Sequence, residues 1–335
     1  MADRIPVTVI HYSRYDPRRV TGGVERFGLT LERLFERVEY LTPADTRARR
    51  EALGRRIPII CDNQRVMDWP GGHPLIGFQH GVGAVKFQAT GSFSHWNLAR
   101  KQKRAAGRPA TLWVACAQWV ASAFESLYGT RVRHVIYYPT DCERFDGRLD
   151  NGGSRLVLHD ARTRHKGRAL IPVLQAALPD WSFEPLACRP EDVPGRMRKA
   201  RAFVHLSRYE GNSLVCNEAM AMNLPCLFTR VGLMTDPAAP AGDVSVMDVD
   251  DAYGDRERLV GRVSAFLKGI DDRRWNPRAW VLAQANLTTS ADGWRRVIAD
   301  FEEMSGWNLT SGQAMAGAQV AVPQYWPPYV PHVGL

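Results

Sequence analysis

Ala202-Phe203-Val204-His205-Leu206-Ser207-Arg208-Tyr209-Glu210-Gly211-Asn212-Ser213-Leu214-Val215-Cys216-Asn217-Glu218-Ala219-Met220-Ala221 reads as a strand, a turn and a helix. The apolar run Ala202 to Leu206 predicts a buried strand. Gly211 turns the chain, and Asn212 or Ser213 suits the N-cap of a helix from Leu214 to Met222. Such a junction aims free N–H groups at a ligand, and the helix dipole adds partial positive charge there. Glu210 and Glu218 stand eight positions apart across it. An anionic diphosphate suits the N–H groups, and flanking carboxylates suit the hydroxyls of a sugar and a ribose. Paired glutamates also occur on plain helices, where they favour the N-terminus or face solvent.

Outward from this stretch, short apolar runs alternate with amphipathic ones. Before it lie Val7 to Ile10, Val38 to Leu41, Ile57 to Ile60, Pro74 to Phe78, Leu112 to Cys116 and Val132 to Tyr138 as strands. Val24 to Arg37 and Ala44 to Arg56 carry helical spacing between them. After a Gly/Asp/Asn-rich break at Asp146 to Ser154, the alternation restarts with strands at Leu156 to His159, Trp181 to Ala187 and Pro225 to Thr229. This alternation predicts βαβ units and parallel sheets. The fold class is therefore α/β, with two Rossmann-like doubly wound domains facing across a cleft where ligands bind. The expected division is 1–146 as the first domain and 147–280 as the second. Helices follow over 281–305, then a Pro/aromatic tail over 306–335.

The 335 residues, 45% hydrophobic and 24% charged, suffice for two soluble globular cores. The net charge of +9 favours phosphates, nucleic acid or anionic lipid without choosing among them. The six cysteines form no CxxC pair, so neither a disulfide framework nor a cysteine metal site is expected. The start reads as having no signal peptide, and no apolar run has the length of a membrane span, so the expected location is cytoplasmic.

The segment from Glu210 to Ala221 resembles the EGFGLxxxEAMA signature of glycosyltransferase family 4, with Asn212-Ser213 where the family commonly has Phe-Gly. Around it, Arg201 to Ser207, Asn223 to Thr229, Val135 to Phe145 and Val114 to Val120 resemble that family's segments in the same order. The resemblance implies the GT-B architecture. It also implies transfer of sugar from a nucleoside diphosphate sugar to an acceptor hydroxyl, with retention of configuration and without a metal. No other cofactor is implied, since the nucleotide sugar is a co-substrate. It places Glu210 on donor-sugar hydroxyls and Glu218 on the ribose. The turn Asn212, Ser213 and Leu214 falls to the diphosphate, together with Gly22 and Gly23 after the first strand. Arg162-Thr163-Arg164-His165-Lys166-Gly167 resembles the family's GRlxxxKG; Lys166 is its lysine, and Arg162 and Arg164 compete for its arginine. His80, ending the run from Ile76, matches a strand-end histidine that faces the donor sugar. Leu186 and its neighbours fall beside the nucleotide base.

Arg100, Lys101, Lys103, Arg104 and Arg108 put five cations in nine positions. A solvated helix face, an anionic membrane surface and a nucleic-acid backbone all fit them. Two alternatives to glycan or glycoconjugate synthesis therefore stand beside it. One is glycosylation of nucleic acid, in keeping with the positive charge. The other is a nucleotide-sugar-binding protein without turnover, in keeping with Asn212-Ser213.

Overall fold

The computed structural model describes residues 3–20, 22–240 and 242–310. Met1, Ala2, Thr21, Ala241 and residues 311–335, the bulk of the Pro/aromatic tail, lie outside them. Two parallel sheets are present among the described residues. The first contains β1 (Ile5–Tyr12), β2 (Phe35–Leu41), β3 (Ile59–Asp62), β4 (Leu75–Gln79), β5 (Thr111–Ala115) and β6 (His134–Val135), in the order β2-β1-β3-β4-β5-β6. The second contains β7 (Leu156–His159), β8 (Ser182–Pro185), β9 (Ala202–His205), β10 (Cys226–Thr229) and β11 (Ser245–Met247), in the order β11-β10-β9-β7-β8.

The central strands β3, β4, β9 and β10 are buried along their whole length because helices cover both faces. In β7, β9 and β10, Leu158, Phe203 and Phe228 face a core that continues into the first domain. Their neighbours Val157, Val204 and Leu227 face a second core on the opposite side of the sheet. Each sheet reverses its order once, between β1 and β3 and between β7 and β9. Crevices open at such switch points, beyond the carboxyl ends of the strands. Both reversals end on buried polar residues: His11 and Asp62 in the first sheet, Asp160 and His205 in the second.

Several elements differ from the sequence reading. The helix expected over Val24 to Arg37 stops early. It spans Gly23–Thr30, passes through one 3-10 turn at Leu31–Arg33, and gives way to β2 at Phe35. Phe35 is withdrawn from helical spacing because its ring packs edge-on against Trp294, centroids 5.5 Å apart. The strand expected over Val132 to Tyr138 pairs only at His134 and Val135. Beyond it, Ile136, Tyr137 and Tyr138 stay buried while the chain leaves the sheet to cross between domains. Helices at Gly83–Thr90 and Gln118–Tyr128 complete the first domain.

The last helix, Leu287–Ser305, lies against β5 and β6 of the first sheet, with Trp294 stacked on Phe78 at 5.9 Å. Arg278, at the start of the helix Pro277–Gln284, fastens the crossing. Its guanidinium donates to the carbonyls of Phe145 and Ala221, and to that of Cys142 at 2.9 Å. Arg278→Ala strands three carbonyls for which no other donor stands among the described residues. It should lower unfolding stability by about 2 kcal/mol or more, and Arg278→Lys should recover part of that in thermal denaturation. A melting temperature unchanged in both variants would show that the clamp contributes nothing.

Candidate active site

A cleft of about 400 Å³ opens between the carboxyl ends of the two sheets. Gly22, Gly23, His80, Arg162, Lys166, Glu210, Asn212, Ser213, Leu214 and Glu218 all line it, as does Leu186; Arg164 does not. Of the two arginines, Arg162 is thus the one at the cleft, and its side chain is exposed. Gly23 opens the first helix with nothing within 4 Å of where a β-carbon would stand, so the backbone there faces open space.

The turn Glu210–Ser213 is seated on the first domain. A β-carbon at position 211 would stand 1.8 Å from the His80 carbonyl oxygen, so only glycine fits. Trp119 Nε1 donates to the Gly211 carbonyl at 2.7 Å, and Asn212 Nδ2 donates to the Cys116 carbonyl at 3.0 Å. This gives a physical reason for asparagine at 212: its amide joins the domains, while Oδ1 stays buried without a partner in the structure. Ser213 is the N-cap of the helix Leu214–Ala221, and its hydroxyl makes no capping bond.

Glu210 belongs to a buried ring of charge. Lys166 Nζ stands 2.7 Å from Asp160 and 3.2 Å from Glu210. His205 Nδ1 stands 2.5 Å from Asp160, and its Nε2 stands 3.3 Å from Glu210. Burial would raise the Glu210 carboxyl, but His205 and Lys166 override it and hold it at about 2. Asp160 is depressed against its burial by the same two cations, and His205 is raised against its burial, chiefly by Asp160. Lys166 is thus already paired with two carboxylates. An ammonium has three N–H donors, so one remains for an incoming anion.

Glu218 is buried, and its carboxyl is raised because burial outweighs the nearby Arg26 and Arg144. Arg26, on the first helix, pairs with one of its oxygens across the cleft; the other has no hydrogen-bond partner among the described residues. His80 is held on both ring nitrogens: Nε2 lies 2.7 Å from Asp62, and Nδ1 lies 2.6 Å from the Tyr138 hydroxyl. His11 reaches the same Asp62 oxygen at 3.0 Å. The imidazole of His80 is therefore a fixed part of the wall.

Sequence reasoning missed Arg26, Lys86, Asp160 and His205 as members of the site. Asp160 and His205 left a signal, because each is a polar residue at the end of an apolar strand. Arg26 and Lys86 left none, since they look like ordinary helix-surface cations. Arg108 is a correction: it is buried, donating to the carbonyls of Pro70, His73 and Pro109 and to the Thr111 hydroxyl, and does not belong to the basic surface. Arg100, Lys101, Lys103 and Arg104 do stand exposed on the helix Phe93–Ala106. Beside them Phe93 and Trp96 are 70% and 38% exposed, and their rings stack at 5.0 Å. The Arg100 guanidinium lies 4.8 Å from the Trp96 ring centre. Among the described residues, no group of three or more His, Cys, Asp or Glu comes together to hold a metal, and no helix is long and apolar enough to cross a membrane.

A family model described as glycosyl transferases group 1 matches residues 174–251, which carry β8 to β11 and both glutamates. No curated protein matches the chain. Solved structures do. Sucrose-phosphate synthase from Thermosynechococcus elongatus is 15% identical with a TM-score of 0.69, over 89% of this chain and 99% of that one. Anabaena HepE, in complex with UDP and glucose, is 16% identical with a TM-score of 0.65, over 88% and 100%. A glycosyltransferase from Rickettsia africae is 12% identical with a TM-score of 0.59, over 89% and 98%. The fold is GT-B.

The charge ring predicts an acid limb in stability. The Glu210 carboxyl is depressed in the folded state, so its contribution is complete above its ordinary value near 4.5 and is lost as pH falls toward 2. Glu210→Gln should therefore lose less stability than the wild type between pH 6 and pH 3 in urea unfolding. Equal losses would mean that the carboxylate adds nothing to the ring.

Proposed function

We propose that the chain transfers a glycosyl unit from a nucleoside diphosphate sugar to an acceptor hydroxyl, with retention of anomeric configuration, in glycan or glycoconjugate synthesis. One observation carries the reading: Glu210 and Glu218 both deliver carboxylates into one interdomain cleft, on either side of a helix N-terminus. The family model over that segment and the UDP and glucose bound by HepE support a sugar-nucleotide donor.

In this reading Glu218 accepts ribose hydroxyls through its unpartnered oxygen, and Glu210 accepts hydroxyls of the donor sugar. Backbone N–H groups from Asn212 to Leu214, with Arg162 and the remaining N–H of Lys166, hold the diphosphate where a cation would otherwise sit. Gly22 and Gly23 let the first helix approach it closely. The acceptor hydroxyl attacks the anomeric carbon from the face that the diphosphate leaves. The bond from that carbon to the phosphate oxygen breaks, and the departing oxygen takes the hydroxyl proton. His80 walls the sugar end.

Donor binding and turnover should separate. Glu218→Ala removes an acceptor of charge-assisted hydrogen bonds worth about 1.5–3 kcal/mol, so nucleoside diphosphate affinity should fall about ten- to a hundredfold. Glu210→Ala should lower turnover more than that affinity, in assays run with a chelator throughout. Wild-type transfer by both variants would remove the two glutamates from the site.

The reading extends to the helix Phe93–Ala106. Its exposed aromatics beside Arg100, Lys101, Lys103 and Arg104 favour an anionic membrane surface as the place where the acceptor is met, because interfacial aromatics and basic side chains act together there. Replacing the four cations by Gln should weaken co-sedimentation with phosphatidylglycerol vesicles. The deficit should shrink at high salt, since charges are screened over about 8 Å at physiological ionic strength. Donor hydrolysis should be unchanged. Unaltered vesicle binding, or a loss confined to duplex DNA, would overturn the membrane assignment.

A further inference from the structure

Lys86 sits half-buried on the helix Gly83–Thr90, on the first domain's wall of the cleft. Among the described residues its ammonium has no hydrogen bond and no ion pair; its contact is the Tyr209 ring, whose centre lies 5.6 Å away. A lysine withdrawn from water is ordinarily paired, because desolvating an uncompensated charge is costly. Here burial, with Lys166 nearby, lowers its affinity for the proton.

The groups around it do not supply the missing anion. Glu210 and Lys166 act on Lys86, while His95 and His165 both feel its charge. Glu210 is already taken by Lys166 and His205. At this end of the cleft two carboxylates, Asp160 and Glu210, face three cations: Lys86, Lys166 and His205. The surplus is positive before either outer histidine takes a proton, and both have their pKa lowered by burial and by Lys86.

We propose that Lys86 is an anion subsite for the acceptor, holding a phosphate or carboxylate group that the acceptor carries near the hydroxyl to be glycosylated. This rests on the glycosyl-transfer reading of the cleft. Glu218 and Arg26 mark the nucleotide end, and Glu210 marks the sugar end, where Lys86 lies. The donor's diphosphate has its own partners in Arg162, Lys166 and the turn before Leu214. The approach to Lys86 also runs along positive surface. Leu98 of the helix Phe93–Ala106 lines the same cleft, and that helix bears the exposed basic face. The two helices are packed directly against each other. A β-carbon at Gly83 would stand 2.7 Å from the Ala99 nitrogen, and the Gly83 N–H donates to Gln102 at 2.6 Å. An anionic acceptor guided by the outer cations is thus delivered to an unpaired ammonium on the first domain's wall.

The full chain is first saturated with whichever of UDP, GDP, ADP or dTDP stabilises it most, which fills the diphosphate site. Inorganic phosphate is then titrated at constant ionic strength, with thermal stabilisation as the readout, and dodecyl phosphate micelles replace it in a second arm. Wild type should respond in at least one arm. Lys86→Gln should weaken that response about tenfold, the scale of one charge-assisted hydrogen bond, and Lys86→Arg should retain it. Both variants should keep the nucleotide's own effect within about twofold, well inside that tenfold scale. A Lys86-dependent response to micelles and not to free phosphate assigns the anion to a lipid-linked acceptor, and the reverse to a soluble one. Either supports the subsite. Stabilisation that is absent in both arms, or unchanged in Lys86→Gln, overturns it. An equal loss of nucleotide affinity in Lys86→Gln also overturns it, by assigning the lysine to the donor. If no nucleoside diphosphate stabilises the wild type, the donor reading itself fails, a separate result from any on Lys86.

Discussion

Gly211 meets the carbonyl of His80 with no space for a β-carbon, and the cleft takes its form around that contact. The turn that bears Glu210 belongs to the second domain, yet it rests on the carboxyl edge of the first sheet. Side chains then hold it from both directions. Trp119 and Asn212 bond across the seam, and Val82 N–H donates to the Tyr209 hydroxyl at 2.7 Å. Asp236 of the second domain accepts from the Trp119 N–H at 3.1 Å and from the Tyr137 hydroxyl at 2.9 Å. With the turn held, the helix after it must aim its N-terminus and Glu218 at the first domain's glycines. The geometry of the site is therefore a consequence of one backbone-to-backbone approach, and any side chain at 211 would push the domains apart.

The same architecture explains why charge can be buried here at all. Isolated ions at this depth would neutralise themselves. Asp160, Glu210, Lys166 and His205 avoid that by closing a ring of opposite charges, each within 3.3 Å of its partners. The ring sits at the switch point between β7 and β9, where the sheet leaves a crevice for it. The first sheet places its own pair, His11 and Asp62, at its reversal between β1 and β3. There His80 and Tyr138 complete the bonding and leave a rigid wall. One switch point is built for shape, the other for charge.

Much of this was legible in the residues. The strand Leu156–His159 reads residue for residue, and β9 and the helix Leu214–Ala221 differ from expectation by one residue each. Fully buried strands and a strand-turn-helix junction announce themselves through composition and period. The cleft residues drawn from the resemblance also come together in space. What stayed hidden was decided by tertiary contact. Phe35 left its helix for Trp294, and Arg108 left the surface for four oxygen acceptors. Arg26 and Lys86 became cleft residues only because another domain faces them. Local pattern carries no trace of a partner that is distant in the chain.

The division of charge between the walls gives the final step. On the second domain's wall Lys166 and His205 are matched by Asp160 and Glu210 before any ligand arrives, so Lys166 is oriented by the two carboxylates and offers one remaining donor in a fixed direction. Preorganised donors of this kind act on developing charge without reorganising during reaction. On the first domain's wall the matching is incomplete. Arg26 reaches across to Glu218, and Lys86 has only an aromatic face. In the proposed transfer, a wall whose ring is already closed suits a component common to every turnover, the nucleotide. A wall left short of an anion suits the component that differs between enzymes of one fold, the acceptor. Loops and helices at the cleft edge vary more freely than the sheet ends that hold the ring, so acceptor specificity can diverge on the first domain while the second keeps its ring of charge intact.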